Sequence, residues 1–547
     1  MNYTKHVGTK QTPQHRPIPG STQVKNSAGG YSFAVSDSDR LTRFLILGSQ
    51  GGTYYSTEQE LTVENADAII RLIKADGENV VKTVVEISDS GRAPKNDPAI
   101  FVLALAATFG DSETKTATYA AIPKVCRIGT HIYQFCQAVQ DLRGWSRGLR
   151  RGVASYYTSK SDAKLALDLV KYRQRDGWTH RDVLRLAHPT PATAGQQELF
   201  KYAVGKGEGA TPDNDLIRAF EEVQTLKATD KKTIRKAVVL IEEYELPREA
   251  LPTELLSSKE VWEAMLPHMP MTALIRNLGK MTSVGLFNSN LSSSVKLAVE
   301  KLTDETAIRK SRIHPLNVLQ ARATYGSGGG FKGKLTWEPV SKIMDALDQA
   351  FYTAFGNVES TGQNYLLAVD CSGSMGSPVA NSSLTCRTAA AAMALVTASV
   401  ENSVEIVGFS NGRAPSRWSG THSMNSGIAP INVTAKSRLG DVESAMDKFP
   451  WGGTDCALPM LYAIEKKLHV DTFIVYTVSA PWAGNIHPTQ ALAKYRKEFN
   501  PNAKLIVVGM NSNGFTIADP NDRGMLDVVG FDTATPNIIA SFSEGRI

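Results

Sequence analysis

The stretch Tyr365-Leu366-Leu367-Ala368-Val369-Asp370-Cys371-Ser372-Gly373-Ser374 decides the fold of the C-terminal part of this chain. Its five leading residues form an apolar run bounded by turn formers, which reads as a buried parallel strand. The chain then passes through a loop into an Ala-rich stretch, 388–399, which reads as a helix. Asp-x-Ser-x-Ser at a strand's carboxyl end puts one carboxylate and two hydroxyls on one small loop. Such hard oxygens suit Mg²⁺ or another hard divalent cation, and an open α/β sheet places its ligand beyond the strand C-termini. The same residues have a plainer use, because Ser and Asp also cap helices and tighten turns. Both readings stay open at this point.

The chain beyond this loop fits an α/β domain. Apolar runs at 404–409, 472–478 and 504–510 read as strands, and 457–468 and 488–498 as helices. This alternation implies parallel βαβ units with right-handed crossovers. Trp451-Gly452-Gly453-Thr454-Asp455 adds a glycine turn with a further oxygen ligand. The order Asp-x-Ser-x-Ser, then Gly-Gly-Thr-Asp, resembles a von Willebrand factor A domain with its metal-ion-dependent adhesion site, over 361–547. The resemblance implies a metal held by Asp370, Ser372, Ser374 and Thr454. It also implies a third-loop Asp after a Thr. Here the strand ends Tyr476-Thr477-Val478-Ser479, so the Asp position holds Val478, and the family's Asn-Glu-Thr is replaced by Ser479-Ala480-Pro481. Ligand charge drives divalent affinity, so a weakened Mg²⁺ site is expected.

Bulk properties bound the rest. With 547 residues and 42% hydrophobic content, the chain suffices for two or more domains with full cores. No apolar stretch reaches the roughly 18 residues of a membrane span. The polar first 17 residues lack the apolar core of a secretory signal, and 1–30, with seven Gly and Pro residues, reads as a loosely ordered tail. The five cysteines form no C-x-x-C pair and read as reduced, buried thiols of a cytoplasmic protein.

Residues 31–360 read as mainly helical. Apolar residues recur three and four apart in 61–74, 99–109, 115–126, 131–140, 163–174, 181–186, 213–226, 232–245, 258–266, 271–280, 293–301 and 339–355. Successive short amphipathic helices suggest an all-α solenoid of the HEAT type. Pro247 and Pro252 mark a break between helical pairs.

The net charge of +6 is concentrated. Residues 143–185 carry eleven Lys or Arg against four Asp. Acidic partners are too sparse to neutralise them through i,i+4 pairs. Trp145, Tyr156, Tyr157, Tyr172 and Trp178 interleave them. Basic residues with stacking aromatics suit single-stranded nucleic acid. Arg147, Arg150, Arg151 and His180 are candidate contacts, and the alternative is a solvated charged face.

Further motifs identify the chain as resembling the Ro autoantigen family along nearly its whole length. They are Gly51-Gly52-Thr53-Tyr54-Tyr55, Val125-Cys126-Arg127-Ile128, Gly177-Trp178-Thr179-His180-Arg181-Asp182, Leu278-Gly279-Lys280-Met281-Thr282, Arg312-Ile313-His314-Pro315, Gly453-Thr454-Asp455-Cys456 and Gly514-Phe515-Thr516-Ile517-Ala518-Asp519-Pro520. The resemblance implies a TROVE module, a ring of HEAT-like repeats over 31–360, and a von Willebrand A domain with a Rossmann-like α/β fold over 361–547. It implies a non-catalytic RNA-binding protein that holds Y-like RNAs on its outer basic face. The ring's hole would take single-stranded 3′ ends of misfolded non-coding RNAs, with a link to a 3′-to-5′ exoribonuclease in RNA quality control and decay. The Y RNA contacts would fall on Lys171, Arg175, Arg185 and His188. A monomer without membrane attachment is expected.

Other motifs carry less. Gly328-x-x-x-x-Gly333-Lys334 continues with Leu335 where a phosphate loop needs Ser or Thr, and reads as a basic loop whose Lys332 and Lys334 face RNA. His314 before Pro315 reads as a cap or core residue. His180 and His188 lack zinc-ligand spacing, and no catalytic Ser-His-Asp order or carboxylate pair stands out. The alternative to RNA binding is a protein-interaction scaffold that recruits partners through the metal-site face, with a metal-dependent nuclease behind it.

Overall fold

A computed structural model describes residues 11–205, 212–227, 230–330, 334–356, 358, 360–380, 382–411, 427–431, 437, 441, 445 and 452–547. The chain divides into two compact units, one formed by 70–91 and 95–354, the other by 1–69, 92–94 and 355–547. The second unit therefore draws on both ends of the sequence. Its N-terminal part contributes β1 (Val24–Lys25), β2 (Tyr31–Ala34), α1 (Asp37–Leu47) and the start of α2 (Glu58–Ser90), which departs from helical geometry at Asp76.

The helical unit packs neighbours in sequence against one another, as a repeat array does. It runs through α3 (Asp97–Phe109), α4 (Ser112–Val125), α5 (Gly129–Leu142), α6 (Arg147–Thr158) and α7 (Asp162–Lys171). A two-residue β3 (Gln174–Arg175) and β4 (Trp178–Thr179) then form an antiparallel hairpin. Next come α8 (His180–Ala187), α9 (Ala194–Val204), α10 (Asp215–Gln224), α11 (Lys231–Tyr244), α12 (Lys259–Met265) and α13 (Met271–Ser283). The unit ends with α14 (Ser293–Thr303), α15 (Glu305–Ser311), α16 (Pro315–Gly326) and α17 (Ser341–Ala354). Between α11 and α12, Pro247 and Pro252 precede two short 3₁₀ turns, the break their rings impose.

In the α/β unit, β5 (Asn364–Asp370), β6 (Ser403–Phe409), β7 (Ile428–Pro430), β8 (Thr472–Thr477), β9 (Lys504–Gly509) and β11 (Met525–Val529) form one sheet in the order β11-β9-β8-β5-β6-β7. All pairs are parallel except β6–β7. Leu366, Ala368, Phe473, Val475, Leu505 and Val507 form one buried face with Met460, Leu492 and Tyr495. A small antiparallel sheet joins β1, β2 and β10 (Phe515–Thr516).

The loosely ordered tail expected over 1–30 does not hold for the described residues 11–30, and residues 1–10 lie outside the description. Polar side chains do the ordering that an apolar face would otherwise do. Gln14, fully buried, donates to Asp455 Oδ1 at 2.7 Å and to the Ile486 carbonyl at 2.9 Å. Asn26 Nδ2 donates to the Pro481 carbonyl at 2.8 Å. The expected boundary at 360 falls near the observed one at 355, but residues 31–69 group with the α/β unit instead of the helices.

Candidate nucleic-acid interface and oxygen-lined site

The basic window folds into α6, α7, the β3–β4 hairpin and α8. The segment expected as helix to 174 stops at Lys171, because Asp176 (φ 51°) and Gly177 (φ 82°) close a two-residue turn. Positive φ at both central positions is the turn type whose twist matches a hairpin. It pairs Arg175 with Trp178. Thr179 and Asp182 form a capping box that starts α8, and His188 ends it in the left-handed region.

Arg147, Arg150, Arg151, Arg175, Arg181, Arg185 and His188 are exposed, and Lys171 is half-buried. The acids nearby are engaged elsewhere. Lys160 Nζ donates to Asp168 Oδ2 at 2.6 Å, Thr193 donates to Asp162 at 2.7 Å, and Asp182 serves the capping box. Lys171 and Arg173 line an open cleft of ≈ 530 Å³ with Gln174, Thr179 and Glu249.

His180 is corrected by the structure. It is buried, its Nε2 lies 3.2 Å from the Asp168 carbonyl, and its Nδ1 lies 3.0 Å from the Tyr157 hydroxyl. A carbonyl only accepts, so Nε2 carries the proton and Nδ1 accepts from Tyr157. Burial holds the imidazole pKa down to about 4, so the ring is a neutral structural strut out of reach of a surface ligand. The stacking role expected of the aromatics fails for the same reason at three of the five. Tyr156, Tyr157 and Trp178 are core residues. The Tyr156 hydroxyl donates to Asp168, and Trp178 Nε1 donates to Gln137 at 2.7 Å. The interleaving pattern marks the inner face of amphipathic helices whose outer face is basic. Trp145 and Tyr172 are half-buried, and Lys171 Nζ lies 5.6 Å from the Tyr172 ring.

The oxygen-lined site lies where β5 and β8 end, at the point where the strand order turns from β6 on one side to β8 on the other. Asp370, Ser372, Ser374 and Thr454 are all buried there. One Asp370 oxygen accepts the Ser372 N–H at 2.8 Å and the other the Thr477 hydroxyl at 2.7 Å. The Ser372 and Ser374 hydroxyls lie 3.1 Å apart. Desolvation raises the Asp370 pKa against those hydrogen bonds. Thr454 Oγ1 and Ser479 Oγ are buried and lack a hydrogen-bond partner. Unpaired buried hydroxyl oxygens beside one carboxylate suit a hard divalent cation in donor type. The charge is low, and no cluster of three His, Cys, Asp or Glu side chains with metal-binding geometry occurs among the described residues.

Val478 is buried at the third-loop position, its carbonyl accepting from Asn513 Nδ2 at 2.7 Å. Asp455 turns to Gln14 and to the Ala457 N–H, which it accepts at 3.1 Å. Three further residues shape the site, of which Thr477 and Tyr55 went unread in the sequence as contributors. Thr477 orients Asp370, Ser479 sits behind it at positive φ (56°), and Tyr55 hydrogen-bonds Ser374 and Trp482. Gly51 and Gly52, both at positive φ, were the available signal for the loop that carries Tyr55. Trp451 lies outside the described residues.

The chain matches the TROVE domain model over 24–246 and 242–327, and the Ro60 vWA domain model over 364–543. It belongs to the Ro60 family. This Ro60-family chain is 42% identical to the RNA-binding protein RO60 of Deinococcus radiodurans over 554 residues, with 100% of both covered. The RNA-binding protein RO60 of Caenorhabditis elegans is 38% identical over 616 residues, covering 98% of this chain and 92% of that one. The crystal structure of the Deinococcus radiodurans RO (RSR) protein matches with a TM-score of 0.68 at 41% identity, over 94% of this chain and 100% of that one.

Other expectations resolve simply. All five cysteines are buried and unpaired. His314 is buried and caps α16 by accepting the Leu316 N–H. Lys332 and Gly333 of the basic loop lie outside the described residues. No helix among the described residues is long and apolar enough to cross a membrane.

Proposed function

We propose that this chain is a non-catalytic RNA-binding protein of Ro ribonucleoproteins, monomeric and cytoplasmic. It holds a Y-like small RNA on the outer basic face through Lys171, Arg175, Arg185 and His188, with Arg147, Arg150 and Arg151 extending the surface. It takes the single-stranded 3′ ends of misfolded non-coding RNAs through a ring of helical repeats, in RNA quality control and decay. One observation carries this reading. Three of the window's four acids, Asp162, Asp168 and Asp182, are engaged, while Lys171, Arg175, Arg181 and Arg185 form no ion pair among the described residues. Such cations release counterions on meeting phosphates, so affinity falls steeply with salt. Full-length relatives named RNA-binding protein RO60 support the ligand class.

The test is a gel shift with a Y-like RNA and the double variant Lys171→Ala plus Arg175→Ala. Affinity falls roughly tenfold or more, at about 1 kcal/mol per phosphate contact. Unchanged affinity with an intact circular-dichroism spectrum would overturn the assignment.

A second role falls to the other unit. The unpaired Thr454 and Ser479 hydroxyls lie buried, while Trp482, bonded to Tyr55, is 42% exposed. This face recruits a protein partner such as a 3′-to-5′ exoribonuclease, with a weakly held Mg²⁺ at Asp370, Ser372, Ser374 and Thr454.

A further inference from the structure

Three of the five aromatics in the basic window, Tyr156, Tyr157 and Trp178, are core residues and give unpaired bases no platform on which to stack. A base displaced from a bound RNA needs another home. The helical unit has a cavity beside the basic cleft. It is ≈ 190 Å³ in volume and lies where α7, α11, the 3₁₀ turn Arg248–Ala250, α12 and the start of α13 meet. Ile241, Leu246, Met265 and Met269 are its buried apolar lining. Lys171 and Glu249 line both this cavity and the open cleft, so the two are continuous through one cation and one carboxylate. His268 and Glu245, also on its lining, are paired with each other at 3.1 Å.

We propose that this cavity is a base pocket, which receives one unpaired guanine of an RNA whose phosphates lie in the adjoining cleft. The inference rests on the RNA-binding reading above and adds what that reading lacks, a contact that distinguishes bases. Size selects the ligand first. The volume is below the roughly 300–1,000 Å³ of drug-sized sites, and suits a single bicyclic ring without its sugar and phosphate. Apolar walls with two polarisable methionine sulfurs suit the faces of an aromatic ring. Lys171 neutralises the phosphate that accompanies the base into the site. Glu249 makes no ion pair among the described residues, and a carboxylate only accepts hydrogen bonds. Guanine offers it the N1–H and N2–H donors side by side. Uracil offers one donor and a single, smaller ring.

The test compares three probe RNAs on the full chain. One is a fully paired hairpin, one carries a single bulged G, and one a single bulged U. The bulged-G hairpin binds roughly tenfold tighter than the paired one, the scale of one buried base contact, and the bulged-U hairpin gains less. Leu167, a lining residue that is 40% exposed, offers a way to fill the pocket without touching the cleft. Leu167→Trp removes the bulged-G gain and leaves the paired hairpin at the parent affinity. Equal binding of all three hairpins by the parent, or a bulge gain that survives Leu167→Trp, overturns the pocket. Lys171→Ala plus Arg175→Ala weakens every hairpin. If it weakens none, the phosphate reading fails; if it weakens all while the bulge confers no gain, only the pocket fails. A bulged fluorescent guanine analogue that keeps the N1–H and N2–H donors, 6-methylisoxanthopterin, provides a reading on the parent protein alone. Its emission rises on binding as the base leaves the stack, and unchanged emission counts against the pocket.

Discussion

Val478 shows how much one side chain can set. It is buried where the family resemblance expects a carboxylate. An Asp placed there without a metal would be an unpaired buried charge, which costs several kcal/mol or forces protonation. Val478→Asp is therefore expected to lower Tm in chelator and to recover it in millimolar Mg²⁺, since a ligand bound only by the folded state stabilises by mass action. The parent should show little Mg²⁺ dependence. A variant whose Tm ignores Mg²⁺ would mean that the donor set does not converge on one ion. Asp455 makes a second residue-scale case. Burial, partly offset by hydrogen bonds from Ala457 and Gln14, raises its pKa from 3.8 to about 6. The folded state thus favours the protonated acid. Its contribution to stability is full below pH 3.8 and is lost as pH rises through about 6. Asn keeps the accepting oxygen and never ionises. Asp455→Asn should be more stable than the parent at pH 8, by about 1–3 kcal/mol at 1.4 kcal/mol per pKa unit, and no more stable at pH 4. A lower Tm for the variant at pH 8 would contradict this.

The β3–β4 hairpin is the element that sets Arg175 apart from the helix before it. A side chain at Gly177 would meet nothing within 4 Å of its Cβ, but the residue sits at φ 82°, so a substitution there acts through the backbone alone. Gly177→Val should cost about 1–3 kcal/mol of local strain and weaken Y-like RNA binding, with helix content by circular dichroism unchanged. Parent-like affinity and Tm together would show that the turn does not position the basic surface. The hairpin also marks a limit of sequence reading. Helical periodicity in 163–174 runs past Lys171 because Tyr172 keeps the apolar spacing, and only Asp176-Gly177 announces the turn. The strands β5, β6, β8 and β9 were legible because continuous apolar runs have no other use in a parallel sheet. In contrast, β11 mixes Asp527 into its run, and that Asp pairs with the buried Arg43 at 2.6 Å, a partner invisible to local pattern. At the sites, Lys171, Arg175 and Arg185 were readable as part of a basic run, but their selection as RNA contacts, with His188, rested on the family resemblance; His180 and the tyrosines were misread, since composition cannot distinguish the two faces of a helix.

At the scale of the molecule, the α/β unit is discontinuous in sequence, with the helical unit inserted between its parts. Thr12 and Gln14 bond to partners 478 and 441 positions further along the chain. Residues 11–30 look unstructured in isolation for this reason, since what orders them is not nearby in sequence. The arrangement also imposes a timetable during synthesis. At roughly 5–20 residues per second a ribosome needs on the order of 20–100 s to cover that gap. The inserted helices, built on contacts between near neighbours, have time to fold as they emerge. The N-terminal strands cannot, because β2 has no place until β10 leaves the exit tunnel. For that interval β2 is an unprotected edge, open to chaperones, proteases and neighbouring chains. Maturation of this protein thus waits on a meeting between the first segments translated and some of the last.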